Sequence, residues 1–371
     1  ENIMKTIAIS ANTAWYVYNF RKSTIEALIK KGYHVVVITA LDQKYSKLLE
    51  TLGCQVYGIP LRRRSINPLA ELKVMFYLYQ ILREKKINVL LNFTPKNNIY
   101  GSIVAPKKIS VINNISGLGD AFVRKGAKRI FFLWLYQLSQ QKAKHIFFQN
   151  RDDLELFLRH KVVSTGKASL IAGSGVDLNR FSYSPSELDY PRRFILVGRL
   201  LEEKGVRIYA DAARMLKDKY KEKVDFNLLG FIDNENVRAI SYSEINSWIN
   251  DGVVNYLGST DNVETIVKKM DCVVLPSFYR EGIPKSLIEA AALGKIIVTT
   301  DNVGCRDTVK DKVSGFLCKP KSVESLVKAL EKVILIDKVN AVEMGKESRK
   351  LAVEKFDENL IIAEYIKKIE S

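Results

Sequence analysis

The sequence predicts an α/β protein built from two parallel β-sheets that follow one another along the chain, each covered by helices. The chain has 371 residues, which is more than one hydrophobic core usually fills, so two domains are expected. Short apolar runs alternate with amphipathic segments, which is the pattern of a parallel sheet with crossover helices. The alternation starts again near residue 192, where RRFILVGRLLEEKG repeats the order of strand, loop and helix.

The first half of the chain begins with a predicted strand, loop, helix and second strand. Apolar runs at residues 7–9 and 35–38 predict the two strands. Between them, Ile25, Leu28 and Ile29 lie on one face of a predicted helix. The stretches INVLLNF, KISVINNI and KHIFFQN predict further strands.

The second half carries the second predicted sheet, with strands at VDFNLLGF, VVNYLG, CVVLPS and KIIVTTD. A segment rich in Gly, Ser and Pro, GSGVDLNRFSYSPSELDYP, joins the two halves. We therefore predict domains at residues 1–175 and 176–356, with a last helix at 357–371 packing back on the first domain. The two sheets are expected to face each other across a cleft, with a ligand at the carboxyl ends of the strands.

The net charge of +17 is confined to one half of the chain. Residues 1–172 hold 27 Lys and Arg against 10 Asp and Glu, whereas the remaining 199 residues hold 31 of each. This asymmetry predicts that the first half faces an anionic partner and the second does not.

The composition favours a cytoplasmic protein with reduced cysteines. The four cysteines are scattered without a CxxC pair, which argues against a disulfide framework or a metal site. No stretch reaches the roughly 20 apolar residues that a membrane-spanning helix needs. The residues before the first strand are too few for a signal peptide, and Met4 is a candidate for the natural first residue.

The stretch REGIPKSLIEAAALGK predicts a turn that leads into a short helix ending at Gly294. Backbone N–H groups of Lys285, Ser286 and Leu287 at the helix start form a predicted anion site. Glu289 lies ~7 Å further along the helix axis, and Glu281 precedes the helix by a few residues. Two acids around an anion site suit a nucleotide-sugar, although an ordinary surface helix with a solvated Glu fits the spacing as well.

A second candidate group follows the strand FILV. Arg199 follows this strand after one glycine, and Lys204 comes five residues later. Both therefore belong to the carboxyl end of that strand. An Arg and a Lys can neutralise the charge of a leaving diphosphate without a metal. The chain has no DxD triplet to suggest a divalent cation. A solvated basic pair before a helix is the alternative, which the neighbouring pair of acids makes less favoured.

Several classes of site are absent from the sequence. It has no GxxxxGK[ST] phosphate loop, no complete GxGxxG fingerprint, no GxSxG and no HExxH. The basic isoelectric point near 9.5 keeps open a nucleic-acid binder, but no recognisable module with interleaved aromatic residues accompanies it.

With these residues, the sequence resembles the family-4 retaining glycosyltransferases of the GT-B fold. The spacing of Glu281 and Glu289 matches that family's E-x7-E pattern, and Arg199 with Lys204 matches its diphosphate-binding pair. The stretches WYVYNFR, RSINP, NNIYGS, VINNISGLGDAF, IFFQNRDDLELF, GSGVDLNRF and DNVGCRDTV are similar to the branch that builds bacterial surface polysaccharides and lipid-linked oligosaccharides. That branch includes transferases that add N-acetylhexosamine or galactose to undecaprenyl-diphosphate-linked sugars.

The resemblance implies a role for each matched residue. Glu281, Arg199 and Lys204 are the implied catalytic residues, with the Arg and Lys on the donor diphosphate and Glu281 on the donor sugar. Glu289 is implied to bind the ribose of a UDP-sugar, with no metal or other cofactor. The remaining implied donor-binding residues are Gly282, Ile283, Pro284, Lys285, Ser286 and Leu287 for sugar and phosphates, and Gly230 and Gly258 for the uracil.

The acceptor side is less well defined by the motifs. Many relatives carry a His near INNISGLG that contacts the donor sugar, and this chain has Asn113, Asn114 and Ser116 in that stretch. The candidate acceptor-binding residues are Asn12, Thr13, Arg64, Lys96, Asn114 and Gly117. The implied acceptor is a polyprenyl-diphosphate-linked saccharide.

The stretch FVRKGAKRIFFLWLYQL places basic residues ahead of an aromatic helix. Arg124, Lys125, Lys128 and Arg129 with Phe131 to Leu138 suit the surface of an anionic bilayer. The alternative is that the aromatic run fills the core of the first domain. We expect the protein at the inner face of the cell membrane as a peripheral protein, with no nucleic-acid partner.

Two other functions remain as alternatives at this point. A UDP-sugar epimerase on the same two-sheet fold would interconvert sugars without an acceptor. A non-enzymatic nucleic-acid binder would account for the basic charge alone.

Overall fold

The computed structural model describes residues 4–62, 67–118, 126–234 and 236–371. These residues form two compact units. Unit 1 comprises Glu1–Ser174 and Asn359–Ser371, and unit 2 comprises Gly175–Glu358.

The described part of unit 1 is organised around a parallel sheet. Its strands are β1 (Thr6–Ser10), β2 (His34–Thr39), β3 (Gln55–Gly58), β4 (Val89–Asn92), β5 (Ser110–Ile115), β6 (His145–Phe148) and β7 (Ala168–Leu170). They lie in the order β3-β2-β1-β4-β5-β6-β7. The order reverses between β1 and β4, and loops that leave such a point diverge and make room for a ligand.

Helices cover both faces of this sheet. They are α1 (Ala14–Lys30), α2 (Tyr45–Thr51), α3 (Pro68–Glu84), α4 (Pro95–Val104), α5 (Ala127–Gln140) and α6 (Arg151–Arg159). Successive strand residues alternate between the two faces, so Ile7 and Ile9 join one buried cluster and Ala8 joins another. The sheet is therefore buried on both sides, as its continuous apolar strands predict.

The described part of unit 2 has a second parallel sheet with the same kind of order. Its strands are β8 (Arg192–Val197), β9 (Val224–Leu229), β10 (Asn255–Tyr256), β11 (Cys272–Leu275), β12 (Ile296–Thr300) and β13 (Gly315–Cys318). They lie in the order β10-β9-β8-β11-β12-β13. The order reverses between β8 and β11, which places the loops after these two strands side by side.

The helices of unit 2 pack on the two faces of this sheet. They are α7 (Val206–Tyr220), α8 (Tyr242–Asn250), α9 (Val263–Val267), α10 (Lys285–Leu293), α11 (Val323–Leu335) and α12 (Lys338–Leu351). The last helix, α13 (Glu358–Glu370), begins where unit 2 ends, and residues 359–371 belong to unit 1. Within the ranges that the structure describes, no helix is both long enough and apolar enough to cross a bilayer.

A buried polar network lies at the carboxyl ends of β4 and β5. Asn92 donates to Asn113 at 2.9 Å, and Asn113 donates to Gln140 at 2.6 Å. Tyr365 of α13 donates its hydroxyl to Asn114 at 2.6 Å and accepts from the buried Arg21 at 3.3 Å. These bonds fix α13 against the end of β5 and satisfy polar groups that would otherwise be costly to bury.

The central strands agree with the sequence-based prediction, whereas the edge strands β3, β7 and β13 were not predicted. In β3 and β7 no residue is fully buried, so these two edge strands lack the continuous buried run of the central strands. The third, β13, is a short strand of four residues, most of which are buried. On α13, Ile361, Tyr365 and Ile369 are buried, whereas Leu360 is exposed.

We predict that Gly230→Ala destabilises unit 2 because two loops touch through this glycine. An added Cβ at Gly230 would lie 1.7 Å from the carbonyl oxygen of Gly198, which is backbone and cannot rotate away. Overpacking of this kind costs at least about 1–3 kcal/mol. The matched control is Gly166→Ala, whose Cβ would have no heavy atom within 4 Å. Thermal unfolding of both variants checks this, and a Gly230→Ala midpoint equal to that of the control would contradict it.

Candidate functional site

The candidate site of unit 2 is built from the loops after β8 and β11. The backbone oxygen of Glu203, in the first loop, accepts three hydrogen bonds from the second. The donors are the Ser277 hydroxyl at 3.1 Å, the Phe278 N–H at 3.0 Å and the Tyr279 N–H at 3.2 Å. The two loops are therefore held together at the point where the strand order reverses, which is where open α/β sheets bind ligands.

Lys204 and Glu281 form an ion pair between these loops. Lys204 Nζ lies 2.5 Å from Glu281 Oε1. The Ser277 hydroxyl lies 3.0 Å from the same oxygen, and its single proton is shared between this carboxylate and the Glu203 carbonyl. Glu281 is only 8% exposed. A carboxylate this buried needs a partner, so Lys204 and Ser277 fix its orientation. The sequence predicted that Lys204 and Glu281 both belong to the donor site, but it did not predict their direct contact.

Arg199 presents an unsatisfied donor in the same loop as Lys204. Its Nη1 is buried and has no hydrogen-bond partner among the described residues, and its distance to Asp233 Oδ2 is 4.0 Å. Glu203 Oε2 is likewise buried and without a hydrogen bond. A buried guanidinium nitrogen without a partner is unusual in a folded protein, and a bound anion such as a phosphate would satisfy it.

The start of α10 provides a second place for an anion. Pro284 is the residue before the helix and makes no side-chain cap, and the first turn holds no acidic residue. The N–H groups of the first turn of an α-helix precede its ladder of backbone bonds and can serve a bound anion. Leu287 differs from the prediction, because its N–H donates to the Pro284 carbonyl at 3.1 Å. The helix end retains the positive end of its dipole.

Glu289 lies one turn further along α10 in a separate charged cluster. Burial raises the pKa of its carboxyl from 4.5 to about 7, with Glu264 raising it further and Lys285 and Arg180 opposing this. No hydrogen bond joins the Glu289 carboxyl to another residue in the described ranges. Lys204 and Glu281 are thus in direct contact. That Arg199 and Glu289 bind the same ligand as this pair stays a prediction.

The two glycines expected near a uracil contact each other. The Gly230 N–H donates to the Gly258 carbonyl at 2.8 Å, and the Gly230 carbonyl accepts from the Tyr256 hydroxyl at 2.9 Å. Both backbone groups of Gly230 are therefore engaged in shaping the loop. Gly230 therefore shapes this loop through its backbone. Its contact with a base stays a prediction.

In unit 1 the predicted acceptor-binding residues have different surroundings. The Asn114 side chain is buried, accepting from Tyr365 and donating to the Asn92 carbonyl at 3.0 Å. Lys96 donates to Glu71 at 2.8 Å and to the Arg62 carbonyl at 2.9 Å. Asn114 and Lys96 thus have structural partners that the sequence did not reveal, and their contact with an acceptor stays a prediction.

The other predicted acceptor residues are placed as follows. Thr13 caps α1 by accepting from the Tyr16 N–H at 3.1 Å. Asn12 and Gly117 are half-buried, each directly after or near the carboxyl end of a strand. Arg64 lies outside the described residues, as do Arg124 and Lys125 of the predicted membrane-facing stretch.

Residues that the sequence reasoning missed complete the site. Ser277 lies two residues after β11, at the end of the predicted CVVLPS stretch, and bonds to Glu281. Arg180 and Glu264 lie near Glu289, and no local pattern signalled that they would meet. In the described ranges, no group of three or more His, Cys, Asp or Glu side chains is arranged to hold a metal ion.

Comparisons with known proteins identify the family. A model described as "Glycosyl transferase 4-like" matches residues 6–150, and one described as "Glycosyl transferases group 1" matches residues 184–351. The chain is 31% identical to the N,N'-diacetylbacillosaminyl-diphospho-undecaprenol alpha-1,3-N-acetylgalactosaminyltransferase of Campylobacter jejuni, over 95% of this chain and 94% of that protein. This chain belongs to the group 1 glycosyltransferases.

A second relative of this glycosyltransferase is the UDP-Gal:alpha-D-GlcNAc-diphosphoundecaprenol alpha-1,3-galactosyltransferase of Escherichia coli. It is 24% identical over 82% of this chain and 80% of its own length. The expected hexosyltransferase activity is thereby confirmed at the level of the family. The relatives give no support to an epimerase or a nucleic-acid binder.

Solved structures confirm the GT-B fold of this glycosyltransferase. Anabaena Alr3699/HepE, in complex with UDP and glucose, superposes with a TM-score of 0.77 at 18% identity. The match covers 99% of this chain and 100% of that chain. A glycosyltransferase from Rickettsia africae superposes with a TM-score of 0.76 at 14% identity, covering 99% and 98% of the two chains. At these identities the likeness establishes the fold, with its two parallel sheets.

We predict that Glu289→Gln stabilises the glycosyltransferase at pH 8 by about 1–3 kcal/mol. The folded state keeps a proton on Glu289 up to about pH 7, whereas the unfolded carboxyl releases it near 4.5. The carboxylate is therefore charged in both states at pH 8, and its burial penalises the folded one. The penalty disappears as the pH falls through 7 towards 4.5.

Chemical denaturation at pH 5 and pH 8 measures this difference in free energy of unfolding. The exposed Glu343, on α12, provides the matched control Glu343→Gln, which should change stability equally little at both pH values. A Glu289→Gln effect that is the same at pH 5 and pH 8 would refute the shifted pKa.

Proposed function

We propose that this glycosyltransferase moves a hexose or N-acetylhexosamine from a UDP-sugar to a saccharide carried on undecaprenyl diphosphate, with retention of anomeric configuration. The observation that carries the proposal is the buried Nη1 of Arg199, which has no hydrogen bond among the described residues and belongs to the same loop as Lys204 of the Lys204–Glu281 pair. These positive groups suit a diphosphate. The names of both relatives support a diphosphoundecaprenol-linked acceptor, and one names UDP-Gal as donor.

The donor candidates are UDP-GalNAc, UDP-GlcNAc and UDP-Gal. The relatives' names specify an N-acetylgalactosaminyl and a galactosyl transfer, which differ at the 2-position of the sugar. Glu281 is the residue that would contact the sugar hydroxyls, because Lys204 and Ser277 hold its carboxylate in place. Lys204 is also one of the residues proposed to bind the diphosphate. The product would be an intermediate of surface polysaccharide, O-antigen or glycan assembly.

In the proposed complex three sources of positive potential surround the diphosphate. Arg199 donates through its unsatisfied Nη1, Lys204 approaches from the same loop, and the first N–H groups of α10 point at a phosphate. The Glu289 carboxylate accepts hydrogen bonds from the ribose hydroxyls. This set neutralises the charge on the leaving group without a metal ion, which is the form of stabilisation that transfer of an activated sugar needs.

The proposed chemical step takes place on one face of the sugar. The bond between the anomeric carbon and the β-phosphate oxygen breaks, and that electron pair stays on the diphosphate. The acceptor hydroxyl forms its bond to the anomeric carbon on the face that the phosphate leaves. Its proton passes to the departing phosphate oxygen, so that UDP carries the proton away and the configuration is retained.

We also propose that unit 1 contacts an anionic membrane as a peripheral protein on the cytoplasmic side. In α5, Phe131, Trp134 and Leu138 are about half-exposed, whereas Tyr136 is buried in the core. The aromatic run is therefore divided between the core and an exposed face. A second exposed apolar row lies on α3, at Leu69, Leu72 and Phe76. Exposed aromatic and aliphatic side chains in a strongly basic unit suit the interface of an anionic bilayer.

Removal of the unsatisfied guanidinium should abolish most of the activity. We predict that Arg199→Ala lowers the rate of sugar transfer by about 10²–10³-fold while the thermal unfolding midpoint changes little. The matched control is Arg214→Ala, because Arg214 is an exposed arginine paired with Asp251 in the same unit. UDP release from each candidate UDP-sugar, with and without an undecaprenyl-diphosphate-linked saccharide, is the assay. Equal rates for Arg199→Ala and Arg214→Ala would exclude the proposed site.

Membrane binding should depend on α5 and on lipid charge. We predict that Trp134→Ala with Phe131→Ala lowers co-flotation with liposomes containing anionic phospholipid several-fold, because about half of each side chain is available to the bilayer. The control is Leu335→Ala, an exposed apolar residue of unit 2. Flotation that is unchanged by neutral lipid or by the double substitution would contradict the membrane proposal.

A further inference from the structure

Residues 300–304, which we call the β12 clamp, bind the loop after β11 that carries Glu281. The Thr300 hydroxyl donates to the Ser277 carbonyl at 2.5 Å, and the Asn302 side-chain amide donates to the Tyr279 carbonyl at 2.7 Å. N–H groups of the same loop donate to the Glu203 carbonyl. The loop is therefore held through its N–H groups by the segment after β8 and through its carbonyls by the β12 clamp.

Gly304 brings the backbone of the β12 clamp against the backbone at Glu281. Its φ is +81°, and an added Cβ would lie 2.0 Å from the Gly282 carbonyl oxygen and 2.7 Å from that of Glu281. Only glycine fits such a close approach at a positive φ. The β12 clamp thus contacts the loop both before and after Glu281 in the sequence.

The β12 clamp is itself anchored to the sheet. The Asp301 N–H donates to the Cys318 carbonyl at 2.8 Å, and Arg306 Nε donates to Asp301 Oδ1 at 2.8 Å. The Arg306 N–H donates to the Asn302 carbonyl at 3.0 Å. Asn302 therefore offers its side-chain amide from a fixed backbone.

Two paths connect the β12 clamp to the Glu281 carboxylate. The Ser277 hydroxyl lies 3.0 Å from Glu281 Oε1, and the Ser277 carbonyl is the one that Thr300 binds. The Asn302 amide lies 3.5 Å from this carbonyl as well. The second path is the backbone, because the Tyr279 carbonyl lies only two residues before Glu281. A shift of the β12 clamp would therefore move both the carboxylate and the serine that contacts it.

We propose that Asn302 is a positioning residue of the donor site, which sets the place of Glu281 by fixing the Tyr279 carbonyl. The inference rests on the proposed function, because it assigns the hydroxyls of the donor sugar to Glu281. Arg199 and Glu289, which are proposed to bind the UDP part, lie outside the loop that Asn302 holds. The role of Asn302 therefore concerns the sugar more than the nucleotide.

The experiment compares sugar transfer with UDP affinity in two variants of the full chain. Asn302→Ala removes the amide donor. Asn302→Asp keeps the size of the side chain but presents an oxygen to the Tyr279 carbonyl, and a carboxylate cannot donate to it. We expect both variants to lower kcat by about 10- to 100-fold, because an error of about 1 Å in position is costly in a transfer reaction. Affinity for UDP should stay as in the wild type.

The rate is that of UDP release from UDP-GalNAc, UDP-GlcNAc or UDP-Gal with an undecaprenyl-diphosphate-linked saccharide present. Calorimetric titration with UDP gives the affinity, and both measurements are made well below the unfolding midpoint of each variant. A position that served stability alone would leave kcat unchanged at such a temperature, or would lower UDP affinity together with kcat.

Matched variants separate the β12 clamp from other polar contacts of unit 2. The control is Asn340→Ala, since Asn340 is an exposed asparagine whose amide donates to Asp337 at 2.5 Å. It should change neither kcat nor UDP affinity. Thr300→Val removes the bond to the Ser277 carbonyl and keeps the shape of the side chain. It should lower kcat at constant UDP affinity, which also provides a test if the Asn302 variants do not fold.

The outcomes distinguish the two claims. If the wild type transfers a sugar and the Asn302 variants match its kcat, or lose UDP affinity in proportion to kcat, Asn302 has no positioning role while the proposed function stands. If the wild type transfers none of the three sugars, the proposed function fails, and the role of Asn302 fails with it.

Discussion

The buried ion pair between Lys204 and Glu281 is the constraint on which the donor site depends. It joins the loops after β8 and β11, which are also tied by the three hydrogen bonds that the Glu203 carbonyl accepts. Removing one partner of a buried pair leaves the other charge without compensation, at a cost of about 3–5 kcal/mol. The residues that stabilise the junction are therefore the same ones that the chemistry is proposed to use. A site of this kind is already ordered before a donor arrives, so little binding energy is spent in arranging it.

Electrostatics divides the remaining work between two charged clusters of unit 2. Arg199 presents a buried donor that has no hydrogen bond among the described residues, and the start of α10 presents the positive end of the helix dipole, which suits an anion. Glu289 belongs to a second cluster, in which burial opposes its charge and Arg180 supports it. Unit 1 shows a different use of charge, because the chain's excess of Lys and Arg lies within residues 1–172. A neutral donor unit and a basic unit with exposed apolar helices fit an enzyme whose acceptor is anchored in a membrane.

The central strands and the start and end of α10 were predictable from the sequence, because continuous apolar runs, Pro284 and Gly294 act locally. The edge strands β3 and β7 were missed for the opposite reason, since they contain no fully buried residue. In the site, Lys204 and Glu281 were each predicted as site residues, whereas their direct contact was not. The burial of Asn114 and the pairing of Lys96 with Glu71 were not predictable. These contacts join residues whose meeting depends on how helices pack on the sheet, and side-chain type alone does not specify it.

The most direct test of the account is a crystal structure of the chain with UDP. We predict a diphosphate within hydrogen-bond distance of Arg199 Nη1, next to Lys204 and the first N–H groups of α10, with the ribose hydroxyls on Glu289. UDP bound at another place in unit 2, with Arg199 Nη1 still without a partner, would contradict it.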